Sequence, residues 1–224
     1  MASPSPAEGA LFFNSSSASK PPGAGVHESP PRGGGGGLAG LAAVPDWRRV
    51  LSNFAELPPG AAVELSPRAL VDAAALGGPG PAEAMARHLG AAAVGADPLW
   101  RFPTVEHAFQ GVKCARRVAA FTVGGELGLR ARGLGLRAGL PARQARKLVL
   151  LSPAGVAAWD ALSSVVMGCA LRARARADPV FRRALLATAE AQLWHGAGRG
   201  VRPARMLGLE AIRAELRAAG PPSE

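Results

Sequence analysis

Apolar positions divide the chain into two parts. Residues 1–45 hold serine runs, Pro21-Pro22, Pro30-Pro31 and a glycine tract from Gly33 to Gly37, with few positions for a core. That composition favours a disordered tail. From Asp46 onward apolar residues recur at spacings that predict helices, with a few short strands before residue 100. Trp47 to Ala55 reads as a short apolar strand or turn ending in Ser52-Asn53-Phe54. Ala61 to Leu65 suits a strand and Pro67 to Ala75 a short helix. Gly77 to Pro81 reads as a turn, and Glu83 to Ala93 as another short helix before Asp97-Pro98 breaks the chain.

The most informative pattern lies between Trp100 and Ala115. Pro103 and Thr104 can open a helix. Glu106, Gln110 and Lys113 then fall at i, i+4 and i+7 on one polar stripe, with Ala108, Val112 and Ala115 opposite and Phe109 on a flank. A carboxylate, an amide and an ammonium in a row on a helix suited to burial resemble a ligand-binding face. The alternative is that Glu106 and Lys113, too distant at i,i+7 to pair directly, simply face solvent.

Phe121 to Leu140 is rich in Gly and Arg, but its glycines lack the strand–turn–helix setting of a dinucleotide loop. Arg130, Arg132 and Arg137 fit either an anionic substrate or a solvated edge. Pro141 to Leu150 suits a short helix, and Ser152-Pro153 starts a longer one through about Arg176. Leu162, Val165, Val166, Cys169 and Ala173 form its apolar face, and Arg172, Arg174 and Arg176 suit its C-terminal dipole. Trp159 near its start reads as a core anchor or a pocket wall. Asp178-Pro179 caps the next helix, Gly196 to Arg205 reads as a basic loop, and a last helix runs from about Met206 to Ala218.

Composition adds charge and excludes some chemistry. The chain has 224 residues and a formal net charge of +10, divided as −2 over residues 1–100 and +12 over residues 101–224. Such a field attracts phosphates, nucleic acid or anionic membrane. Arginine outnumbers lysine 23 to 3, but no compact basic run or aromatic platform accompanies it. Cys114, Cys169 and four scattered histidines make no recognised metal motif, so no metal or other cofactor is expected. No basic segment precedes a clean hydrophobic core at the start, and no run of about 18 apolar residues suits a membrane span. The expectation is an intracellular protein, cytoplasmic or nuclear, without a membrane partner.

Four motifs occur in an order that resembles a known family. They are Leu51-Ser52-Asn53-Phe54-Ala55; the proline-threonine-x-glutamate-histidine signature within Phe102 to Lys113; Trp159 and Met167; and Asp178-Pro179-Val180-Phe181 through Leu185-Leu186-Ala187-Thr188. Together they resemble the NADAR superfamily, which includes the riboflavin-biosynthesis-intermediate N-glycosidases. The resemblance implies a compact, mainly helical α+β domain over 46–220, with short strands near its N-terminal part and a variable insertion around 60–98. It implies a hydrolase that cleaves a base–ribose N-glycosidic bond in a ribose-phosphate or ADP-ribose substrate without a metal, nucleic acid being one carrier of that substrate.

By position, the resemblance makes Glu106 the catalytic carboxylate and Asn53, Phe54, Gln110, Lys113 and Trp159 substrate-binding residues. Trp100, His107, Glu190 and His195 are accessory candidates. Read from its chemistry alone, Asn53 could equally satisfy backbone around a turn. One departure stands out: many members carry an acidic residue, a tryptophan, glycines and an asparagine before the last helix. Here Leu193 to Arg202 occupies that neighbourhood, with no acid between Glu190 and Glu210. The competing expectation is a catalytically degenerate binding or interaction module that contacts proteins or nucleic acid.

Overall fold

Ala10–Phe13, inside the stretch whose composition favours disorder, forms a strand (β1) that pairs in parallel with Gln192–His195 (β4). The computed structural model describes residues 9–13, 20–25, 28–29, 38–125, 153–195 and 203–220. These form a mixed α+β chain, mostly helical with a few short strands. Contacts divide it into two compact units, Met1–Ala55 with Asp178–Glu224, and Glu56–Ala177. The glycine tract, the Arg130–Arg137 region, the helix expected over 141–150 and the loop from Gly196 to Arg202 lie outside the described residues.

In the first unit, β4 is the middle strand of three: β1 runs parallel to it, and Ala204–Arg205 (β5) antiparallel. These C-terminal strands correct the expectation that strands cluster near the N-terminal part. Gln192-Leu193-Trp194-His195 is too short for alternation to be visible, and pairing defines it as a strand. Strand β1 is buried at Ala10, Leu11 and Phe12, and its outer edge is occupied. Ala10 O accepts from the Ser29 amide, the Phe12 amide donates to Glu28, and Arg48 Nε donates to Phe12 O. Occupying an edge in this way removes a template for unwanted strand pairing.

Trp47–Val50 (α2), expected as strand or turn, is a single helical turn that leads into the Ser52-Asn53-Phe54 bend. It and Ala39–Ala42 (α1) pack against Pro179–Ala187 (α8). The start of α8 follows the sequence: Asp178 Oδ1 accepts the Phe181 amide at 3.0 Å, with Pro179 in the first turn. Leu207–Ala218 (α9) packs on α8 and β4 and buries Leu209 and Ile212. Arg213 is buried as well, donating to Thr188 Oγ1 at 2.7 Å and Ala191 O at 2.8 Å. It thereby ties α9 to the turn after α8.

In the second unit, Val63–Leu65 (β2) pairs antiparallel with Trp100–Phe102 (β3). Val63, Leu65, Trp100 and Phe102 are buried, while Glu64 and Arg101 form an exposed ion pair. This is the two-residue side-chain alternation of a half-buried sheet. Pro67–Ala75 (α3) starts where expected, capped by Ser66. The helix expected over 83–93 is instead two: Pro79–Leu89 (α4), whose start takes up part of the predicted turn, and Ala91–Ala96 (α5). Gly90 between them has φ +88°, which ends α4. Asp97, at φ +43°, ends α5 as its Asp-Pro pair suggests.

Val105–Lys113 (α6) continues into a 3₁₀ turn over Ala115–Phe121. Pro153–Ala177 (α7) packs against α3, α4, α6 and β2, burying Leu162, Val166, Ala170 and Leu171. Arg174, near the helix end where the dipole favours it, is buried as well. Ala154–Ala177 is long and apolar enough to cross a membrane by length and composition alone, with a mean hydropathy of 1.5 over its most apolar 18 residues. It is not an unbroken apolar run, because Asp160, Ser163 and Ser164 interrupt it. Alanines raise the average, and the arginines gather at one end.

Gly111 marks the tightest point in this unit. A Cβ there would lie 2.7 Å from Phe102 Cε1 and 3.1 Å from Phe121 Cβ. Phe102 is fully buried and has little room to move. In Gly111→Ala, helix propensity gains up to ~1 kcal/mol, while overpacking costs about 1–3 kcal/mol. Destabilisation of roughly 1–2 kcal/mol is expected in urea unfolding; an unchanged or raised midpoint would show that the Phe102 ring yields.

Candidate functional site

The site is built on α6. Thr104 has extended backbone (φ −145°, ψ 165°), and its Oγ1 accepts the His107 amide at 3.1 Å, the N-cap that the Pro-Thr start predicts. The same hydroxyl lies 2.8 Å from His107 Nδ1. Both Thr104 and His107 are buried, so the pair locks the first turn. Glu106 falls in that turn, where the helix dipole favours a carboxylate. It is only 8% exposed, and its Oε1 accepts from Gln110 Nε2 at 2.8 Å. Among the described residues no hydrogen bond reaches its Oε2. Glu106 and Gln110 thus share a face as their i,i+4 spacing implies, but that face is largely buried.

The other half of α6 meets an aromatic cluster. Phe109 stands edge-on to Trp159 of α7, with ring centroids 5.0 Å apart and planes at 70°. His88 of α4 lies 5.6 Å from the same indole, tilted by 38°. Its Nε2 is 2.8 Å from Val112 O, one of the α6 carbonyls beyond the reach of the helix's own amides. Trp159 is 3% exposed, as a core anchor would be. Lys113 is half-buried in the last turn, where a cation suits the dipole. Trp100 is buried in β3 opposite Leu65. Burial pushes the Cys114 thiol above its ordinary range, against the opposing charges of Lys113 and Arg117.

The remaining candidates belong to the first unit. Asn53 and Phe54 are half-buried in the bend after α2, with Asn53 Oδ1 shielded from solvent and the Phe54 amide donating to Ser52 Oγ at 3.3 Å. Glu190 is 81% exposed and ion-paired with Arg217. His195 is exposed at the end of β4, in register with Phe13 and Ala204. Beside it, Trp194 stacks on Phe12 with centroids 5.9 Å apart.

Sequence patterning missed the role of Glu210. Its Oε1 accepts the Leu193 amide at 2.9 Å and Arg205 Nε at 3.1 Å, and its Oε2 accepts Arg205 Nη2 at 2.8 Å. Burial pushes this carboxyl up, but Arg205, the Leu193 amide and the charge of Arg213 together hold it below its ordinary value. A depressed carboxyl stabilises the fold above its unfolded pKa, and that contribution is lost as pH falls through the folded value. The stability difference between wild type and Glu210→Gln should therefore be largest near neutrality and shrink on acidification. A gap that stays constant from neutral to acidic pH would contradict this linkage.

Among the described residues no group of three or more His, Cys, Asp or Glu side chains is arranged to hold a metal ion. Comparison with protein-family models, with curated proteins and with solved structures gave no match.

Proposed function

We propose that the chain is an N-glycosidase hydrolysing the base–ribose bond of a ribose-phosphate or ADP-ribose-type substrate, with Glu106 as its catalytic carboxylate. The observation that carries this reading is the buried Glu106 carboxylate, fixed through one oxygen by Gln110 and with no hydrogen bond to the other among the described residues. Loss of the base leaves positive charge on the ribose ring, and a carboxylate can stabilise that charge and orient the attacking water. Water adds to the anomeric carbon, the C–N bond breaks, and the base leaves with its electron pair and a proton. Lys113 and the basic second half of the chain supply charge to attract a phosphate. Phe109, on the same helix and packed edge-on against Trp159, offers an aromatic surface for the base. For Asn53 and Phe54, which belong to the other unit, a substrate-binding role rests on the resemblance alone.

A second reading, a binding module that has lost catalysis, draws support from the lack of any acid between Glu190 and Glu210. One assay separates the two. Free base is measured from ribosylaminopyrimidine phosphates of the riboflavin type, and ADP-ribose from modified DNA and protein, using wild type and Glu106→Ala. Turnover that needs Glu106 supports the glycosidase. Turnover unchanged in the variant removes Glu106 from the mechanism, and no turnover by wild type on any of these substrates favours the binding module.

A further inference from the structure

We propose that His88, from the segment that matched the family pattern poorly, is a specificity-determining residue that accepts a hydrogen bond from an amino or hydroxyl group of the ligand. Val112 O can only accept, so the 2.8 Å contact requires His88 Nε2 to carry a proton. In the neutral ring Nδ1 is then a bare acceptor, and among the described residues it has no hydrogen-bond partner. The ring is also held in place: Trp159 lies against it at 5.6 Å, and Phe109 braces Trp159 from a second side.

A half-buried histidine on a packed aromatic base, with one nitrogen tied and the other open, is an oriented acceptor and not a loose surface group. Its position matters as well. Val112 is six residues after Glu106 on the same helix, ~9 Å further along the axis. The Glu106 carboxylate lies near one end of α6 and the His88 acceptor near the other, about a third of a turn apart around the axis, so a ligand that meets both must present a donor group well separated from its reacting centre. The half-buried Phe109 ring nearby suits an unsaturated base, while Trp159 behind it is covered. A sulfate has no proton to offer Nδ1 near neutrality and is not such a ligand.

The kinetic part of the test rests on the glycosidase reading, and the spectroscopic and binding parts do not. In full-length protein labelled with ¹⁵N at histidine, with His88→Phe supplying the assignment, Nε2 should show a protonated resonance and Nδ1 an unprotonated one. The Nδ1 resonance should shift on addition of ADP-ribose or ribose 5-phosphate. Whichever probe shifts it should bind about tenfold more weakly to His88→Phe, the loss of one hydrogen bond. Turnover should show KM raised about tenfold in His88→Phe with kcat changed less than about twofold. His88→Gln, which keeps a donor toward Val112 O and returns an amide oxygen, should recover part of the loss.

A proton on Nδ1, a resonance indifferent to both probes, or equal affinity in wild type and His88→Phe would overturn the proposal. So would a fall in kcat with KM unchanged, accompanied by a lowered melting temperature, because that marks a purely structural role. If wild type releases no base but a probe still binds through Nδ1, the glycosidase reading fails and His88 stands.

Discussion

Glu106→Gln is expected to slow base release by about 10²–10⁴-fold, the usual contribution of a positioned acid or base, with the folded structure retained. The substitution keeps length and shape. An amide at this position still offers an oxygen to Gln110 Nε2, now 2.8 Å from Glu106 Oε1. What disappears is the negative charge in the first turn of α6. Near the helix N-terminus that charge contributes about 0.3–1 kcal/mol, which sets the stability loss to expect from urea unfolding. Gln110→Leu provides the complementary test. It leaves the carboxylate but releases its Oε1, so kcat should fall by a smaller factor because a rotating carboxylate is less often aligned. A Glu106→Gln enzyme with near-wild-type kcat would remove the carboxylate from the chemistry. Equal kcat losses in the two variants would mean that orientation, and not charge, is the limiting quantity.

Whether a feature could be read from the sequence depended on whether its cause is local. Thr104, Asp178 and the prolines beside them mark helix starts because a cap acts on amides two or three residues away, and all the atoms involved lie within one turn. Glu106 and Gln110 were legible for the same reason: i,i+4 neighbours on a helix must meet. Strand β1 was not, because Ala10–Phe13 becomes a strand only by pairing with residues some 180 positions later. The break at Gly90 was hidden because alanines on either side carry the helical signal across it. The setting of His88 had no local sign, because Val112 and Trp159, which it contacts, are distant in sequence. Burial of Arg174 and Arg213 had no local sign either, since arginine near a helix C-terminus is favourable whether or not it is covered. For Glu106, spacing identified the partner but not the degree of burial, and burial is what makes an oriented carboxylate useful.

The same non-local pairing makes Glu28→Ala the substitution with the largest expected effect on stability, a loss of about 3–5 kcal/mol. Arg48 is 4% exposed, and the Glu28 side chain is fully covered. Arg48 Nη2 donates to Glu28 Oε1 at 2.8 Å and Oε2 at 2.6 Å, its Nε donates to Phe12 O at 3.2 Å, and its Nη1 donates to Lys20 O. The carboxylate also accepts the amides of Phe12, Gly23 and Gly25 at 3.1, 3.0 and 2.8 Å. Gly25 suits this cradle because a Cβ there would come within 2.6 Å of the carboxylate carbon. Alanine at position 28 would strand a buried guanidinium and three amides together, each unpaired group costing about 1–3 kcal/mol unless water reaches it. Urea unfolding measures the total, and amide exchange at residues 10–13 should accelerate before exchange in α8 does. Glu28→Ala with Arg48→Met should recover much of the loss, because the cost comes from an unmatched charge more than from the missing bond. A loss below about 1 kcal/mol would place the pair among exposed ion pairs and would mean that β1 is held by its ladder with β4 alone.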